Sequence, residues 1–143
     1  MKRLIIAAIA TTLAVPALAA ANETIDKAAK EKGAVKTASG MVYRSIKDGS
    51  GKSPTAASVV EVNYRGTLPN GKEFDSSYKR KQSIKFPLSG VIPCWTEGVQ
   101  KMKVGGKAQL VCPPELAYGA RGAGRDVPPN ATLIFEVELL DVK

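Results

Sequence analysis

The 143-residue chain contains no histidine, and that absence excludes a great deal. Histidine-based triads, a histidine general base and histidine–metal sites all fall away together. Cysteine is nearly as scarce: Cys94 and Cys112 are the only two. Two thiols do not build a structural zinc site by themselves. They leave two readings open, a disulfide in an oxidising compartment or a pair of buried free thiols. There is no phosphate-binding glycine loop, no activated-nucleophile motif, no internal repeat and no low-complexity run. Neither a cofactor nor a metal is expected. Apart from residues 4–15, no stretch is apolar enough to suggest a membrane span.

The remaining composition, 44% hydrophobic and 24% charged, is that of a globular chain with room for one core. The N-terminus stands outside it. Lys2 and Arg3 precede the apolar run, and Ala17-Leu18-Ala19 supplies the small residues that a signal peptidase reads. The expectation is a signal peptide over residues 1–21, cut after Ala19 or, as the close alternative, after Ala21. The mature protein is then periplasmic or secreted, without a lipid anchor or stable membrane insertion. Loss of Lys2 and Arg3 lowers the formal net charge of +8 by two. The basic residues are scattered, so nucleic acid is not an expected partner. Only Lys79-Arg80-Lys81, with Lys85 nearby, forms a cluster. It reads as a solvated face, with a weak attraction to anionic envelope surfaces, or a basic adhesin, as the minority alternatives.

Residues 22–38 are Ala/Lys-rich and read as a flexible or short helical lead-in, with 23–32 as the helical candidate. From residue 39 to 143 the pattern changes to one domain of strands. Residues 41–46 open it. In 59–68, Val60, Val62 and Tyr64 alternate with Glu61, Asn63 and Arg65, the period of a half-buried strand. Pro69-Asn70-Gly71-Lys72 turns the chain. Residues 73–77, 84–88, 107–112 and 132–142 supply further strands. One helix is expected at 95–102, where Trp95, Val99 and Met102 share a face. Strands with short turns and a single helix predict an α+β domain, an antiparallel sheet with the helix against one face. The long loop 113–130 is a functional candidate because long irregular loops in compact domains usually carry function.

Five segments carry chemistry: Val62-Asn63-Tyr64-Arg65-Gly66, Gly71-Lys72-Glu73-Phe74-Asp75-Ser76-Ser77, Val91-Ile92-Pro93-Cys94-Trp95-Thr96-Glu97-Gly98, Ala117-Tyr118-Gly119 and the run 127–137 from Val127 through Phe135. They offer an apolar floor, an aliphatic edge and a hydroxyl donor, a set suited to binding and twisting a neutral group. In this order and spacing the chain resembles the FKBP-type peptidyl-prolyl cis-trans isomerases, from about residue 40 to the end. Its exported, Val-Ile-Pro-Xaa-Trp form is similar to the bacterial Mip-like branch.

The resemblance implies a five- to six-stranded antiparallel sheet wrapped around one short helix, with a shallow apolar pocket between them. It implies isomerisation of X–Pro bonds in proline-containing polypeptides, without a cofactor, and a pocket that macrolide inhibitors of the family could enter; a monomer is expected from the shortness of residues 22–38. Asp75, Tyr118, Trp95 and Phe74 map to catalytic positions. Tyr64, Val91, Ile92, Val127 and Phe135 map to substrate-binding ones. Trp95 is expected as the floor, the Ile92 N–H and Tyr118 hydroxyl as donors, and Asp75 as an orienting charge near Tyr64 or Arg80. Ile84 stands where an aromatic often lines the pocket, and Ala123 and Asp126 replace bulkier loop residues, which predicts a thinner rim. The resemblance also brings Cys112 near the helix start at Cys94, so that a disulfide there would pin the floor. The competing reading is a chaperone or binding module that uses the same groove without turnover; residues 22–38 are too short for the helical dimerisation arm often found with such action.

Overall fold

A computed structural model describes residues 17–143. The expected leader therefore lies largely outside the described residues. Helix α1 (Ala17–Ala29) runs from the end of the expected leader into the segment read as a lead-in, and strand β1 (Ala34–Lys36) lies within that segment. The domain continues with β2 (Val42–Lys47), β3 (Val59–Thr67), β4 (Glu73–Ser76), a one-turn helix α2 (Ser77–Arg80), β5 (Ile84–Pro87), α3 (Pro93–Val99), β6 (Lys107–Cys112) and β7 (Leu133–Val142).

All strand pairings are antiparallel, in the order β1-β2-β6-β7-β3-β4, with β5 also pairing with β3. This is the α+β architecture anticipated, an antiparallel sheet around a helix. Among the described residues it has seven strands rather than five or six, because β1 adds an edge outside the region from which strands were read.

Period-two patterning decides the faces. Val60, Val62 and Tyr64 of β3 are buried, as are Leu133, Phe135, Val137 and Leu139 of β7, while the intervening residues are partly or fully exposed. They join Met41, Leu110, Trp95, Val99 and Met102 in one core between sheet and α3. Each aliphatic side chain buried this way contributes about 1.5–3 kcal/mol. A smaller cluster forms on the opposite face, where Ile25 of α1 packs on Val42 and Val111.

Helix α3 begins two residues before the expected start and ends at Val99. Pro93 occupies its first turn, where a missing N–H costs no hydrogen bond. Lys101 and Met102 continue as turns bonded to Gly98 and Val99, which keeps Met102 on the buried face. Cys94 and Cys112, both fully buried, form a disulfide across a Cα–Cα distance of 5.7 Å, joining α3 to the end of β6. Of the two states that thiol count left open, the bonded one is present.

Candidate functional site

The site grows from the inner face of β3, β4, β5 and β7 where α3 begins. A cavity of about 430 Å³ is lined by Tyr64, Phe74, Asp75, Phe86, Gly90, Val91, Ile92, Trp95, Tyr118 and Phe135. Elsewhere, a depression between β2 and the residues after α3 is walled by Lys47, Asp48, Lys101 and Lys103, so it offers no comparable apolar surface.

Trp95 is the hub of the aromatic wall. Its ring meets Tyr64, Phe86 and Phe135 edge-to-face at centroid distances of 5.2, 5.6 and 5.4 Å. Phe74 extends the set by an edge contact with Phe135 at 5.6 Å. Such pairs hold one another at fixed angles and add about 0.5–1.5 kcal/mol each beyond their burial. Trp95 is only 4% exposed, yet it borders the cavity: one indole serves both as core and as floor. The aliphatic edge comes from Val91 and Ile92, just ahead of α3. That rim is tied down by Thr96, whose hydroxyl donates to the Leu88 carbonyl at 2.8 Å.

The polar side of the cavity is a three-residue network. The Tyr64 hydroxyl donates to one oxygen of Asp75, and Arg80 Nη1 donates to the other at 2.5 Å. Arg80 Nη2 also reaches the Tyr64 oxygen at 3.3 Å. Burial acts to raise the Asp75 pKa, but the hydrogen bonds from Tyr64 and Arg80 and the guanidinium charge outweigh it and hold the carboxyl below its ordinary range. Burial, followed by the bond to Asp75, raises the Tyr64 phenol. A buried serine sets this corner: Ser77 Oγ accepts from the Tyr64 N–H at 2.8 Å and donates to Asn63 Oδ1 at 3.0 Å, fixing α2 against β3.

Since the folded-state pKa of Asp75 lies below its unfolded value, its contribution to stability is complete above the ordinary carboxylate range. It is lost as pH falls through the depressed value. An NMR titration of the carboxyl is therefore expected to show a midpoint below that of an unfolded-chain aspartate, and Arg80→Gln to bring it up. A midpoint that Arg80→Gln leaves in place would contradict the network.

Eight of the nine sequence-identified pocket residues line the cavity; the ninth, Val127, does not. It is buried in the core, because an antiparallel bridge between Ala123 and Val127 turns residues 124–126 outward and Val127 in. Ile84 packs on the core opposite Val62, while Phe86, opposite Val60, supplies the aromatic wall. Phe86 was legible as the period-two partner of Ile84, but the end of β5 that borders the cavity is set by register. Gly90 carried no signal of its own in the sequence.

Gly66 has a positional requirement. A Cβ there would lie 2.5 Å from Phe74 Cζ and 3.0 Å from Phe135 Cε1. Gly66→Ala is thus expected to displace both rings and cost about 1–3 kcal/mol. Equilibrium denaturation measures the loss, and unchanged stability with unchanged aromatic ring shifts would show the wall to be looser than drawn.

The sequence profile of the family described as FKBP-type peptidyl-prolyl cis-trans isomerase matches residues 50–140. The FKBP-type peptidyl-prolyl cis-trans isomerase FkpA of Escherichia coli K12 is 54% identical over 118 residues, covering 82% of this chain and 43% of that protein. The crystal structure of E. coli FkpA superposes with a TM-score of 0.84 at 53% identity, over 87% of this chain and 58% of that one. A peptidyl-prolyl cis-trans isomerase structure from Pseudomonas syringae pv. tomato gives 0.83 at 39% identity, over 89% and 93%. The chain spans about half the length of the curated relatives it matches. Every cavity residue falls inside the matched span, and with sequence, fold and pocket in agreement the chain belongs to the FKBP-type peptidyl-prolyl cis-trans isomerase family.

Proposed function

We propose that this protein accelerates cis–trans rotation of X–Pro bonds in polypeptides. The observation that carries the reading is the rigid aromatic cavity over Trp95, with one charged corner and no strong nucleophile on its wall. An X–Pro bond has nearly balanced isomers but a rotational barrier of roughly 18–20 kcal/mol. At the top of that barrier the carbonyl is out of conjugation and the amide is less dipolar. An apolar, poorly hydrated cavity disfavours the planar dipolar form relative to the twisted one. Each ~1.36 kcal/mol of that difference gives a tenfold rate.

In this reading the proline ring rests on Trp95 between Tyr64, Phe74, Phe86 and Phe135. The Ile92 N–H and the Tyr118 hydroxyl donate to carbonyls of the bound segment. Tyr118 is 42% exposed, and its hydroxyl has no bond among the described residues, which leaves it free for that task. Asp75, kept ionised by Tyr64 and Arg80, places negative charge beside the twisting amide and orients the corner. It moves no proton, because rotation requires none. The leader-like residues 1–21 support action on exported chains in the periplasm or outside the cell. The Val91-Ile92-Pro93-Cys94-Trp95 motif supports the Mip-like branch. A macrolide able to cover the indole would compete for the same cavity.

The test is the exchange rate of an X–Pro peptide with wild type, Asp75→Ala and Tyr118→Phe. Asp75→Ala removes the charge beside the twisting amide and releases Tyr64 and Arg80, and is expected to lose roughly tenfold or more in kcat/KM. Tyr118→Phe is expected to lose several-fold. No acceleration by wild type, with suppressed aggregation of proline-free clients, would replace this reading with that of a holdase.

A further inference from the structure

The basic run Lys79-Arg80-Lys81 directly follows the cavity corner, and its members behave differently. Arg80 turns inward onto Asp75 and Tyr64 while its side chain stays 47% exposed. Lys79 turns to the outer face of the sheet, lining a groove with Arg65, Glu73 and Glu136. Lys81 is exposed, pairs with no acid among the described residues, and sits at φ 54° as the C-cap of α2. Glycine is the ordinary occupant of that left-handed position, so a lysine is strained there. The other side of the mouth is different. Residues 113–130, which carry Tyr118, hold Glu115, Asp126, Arg121 and Arg125, two charges of each sign. Arg80 is answered by Asp75, whereas Lys81, the next residue, is exposed and has no ion pair among the described residues, so the α2 side of the cavity corner carries a net positive charge.

We propose that Arg80 and Lys81 form a cationic lip selecting proline-containing segments with an aspartate or glutamate on the side of the proline that crosses α2. This rests on the isomerase reading and names its substrate class. The attraction acts within a Debye length, about 8 Å at physiological salt. Exposed pairs of this kind discriminate by roughly 1.5-fold to fivefold. The acid is held equally in the planar and twisted states, so the effect belongs in KM rather than kcat.

The experiment uses X–Pro peptides with Glu, Ala or Lys placed before or after the X–Pro pair. It measures kcat/KM and, independently, affinity by quenching of the single tryptophan, Trp95. Glu over Ala is expected to gain roughly 1.5-fold to fivefold on one side only, in KM, and to lose the gain at about 1 M salt. Lys81→Gln removes most of the preference and leaves the Ala peptide unchanged. Lys81→Gly does the same while raising the melting temperature, which separates the charge from the strain. Lys79→Gln, an equal change in net charge on the other face, leaves the preference intact. Equal values for Glu, Ala and Lys peptides, or equal effects of Lys79→Gln and Lys81→Gln, would overturn the proposal. Lys81-dependent binding to anionic vesicles with no peptide preference would also overturn it, assigning the lip to a membrane surface. If no peptide is turned over the isomerase reading fails, and the quenching titration still decides the lip.

Discussion

Alanine at Trp95 is expected to lower stability by about 3–5 kcal/mol, the range for removing a large buried aromatic. It is also expected to reduce X–Pro acceleration by tenfold or more. The two losses have one origin. Tyr64, Phe86 and Phe135 each meet the indole near-perpendicularly at 5.2–5.6 Å, so its removal leaves three rings without their common partner. The cavity then loses its floor and its walls lose their angles. Equilibrium denaturation gives the first loss. The second is read in the exchange assay under conditions where the variant remains folded. Trp95→Phe serves as the control that refills part of the volume; it is expected to recover more stability than activity, because a smaller ring leaves a gap beneath the proline. A folded Trp95→Ala protein with full rate would reduce Trp95 to ordinary core packing and remove the floor from the mechanism.

Loss of the Cys94–Cys112 bond is the second large effect. Eighteen positions separate the two cysteines. Closing a loop of that size restricts the unfolded chain by about 3 kcal/mol. For a domain of this size, that corresponds to a fall in melting temperature on the order of 10–20 °C. Both residues are fully buried, so a Cys94→Ala/Cys112→Ala double variant is a cleaner test than added reductant. The bond joins the first turn of α3 to the last residue of β6, and Trp95 is next to Cys94. A lower exchange rate in the folded double variant is therefore expected alongside the lower melting temperature. An unchanged melting temperature and rate would show that packing alone holds the floor in place.

The readable parts of this protein are those governed by local periodicity. Alternation in β3 and β7 identified which side chains face the core, since a strand turns successive residues to opposite faces. The spacing of Trp95, Val99 and Met102 identified the helix face, although the first turn was missed because Pro93 starts α3 rather than preceding it. Most of the cavity wall was legible through family motifs. The failures are instructive. The structure buries Val127 in the core and sets Phe86 on the cavity wall, because facing the cavity or the core depends on the Ala123–Val127 bridge and on the β3–β5 register, which link residues across different segments.

By itself the sequence determined the α+β class, the inward set of aliphatics and aromatics, and the absence of histidine chemistry, because these follow from residue type and repeat period alone. Only the tertiary structure decided that the two cysteines meet and that β1 adds a seventh strand. It alone decided that Tyr64 and Arg80 both bond Asp75, where the sequence offered one or the other, and that Lys79 lines the outer groove while Arg80 turns to the cavity corner. Those outcomes depend on strand register and on the pitch of a one-turn helix, which place side chains from distant or adjacent positions in space without leaving a repeating trace along the chain.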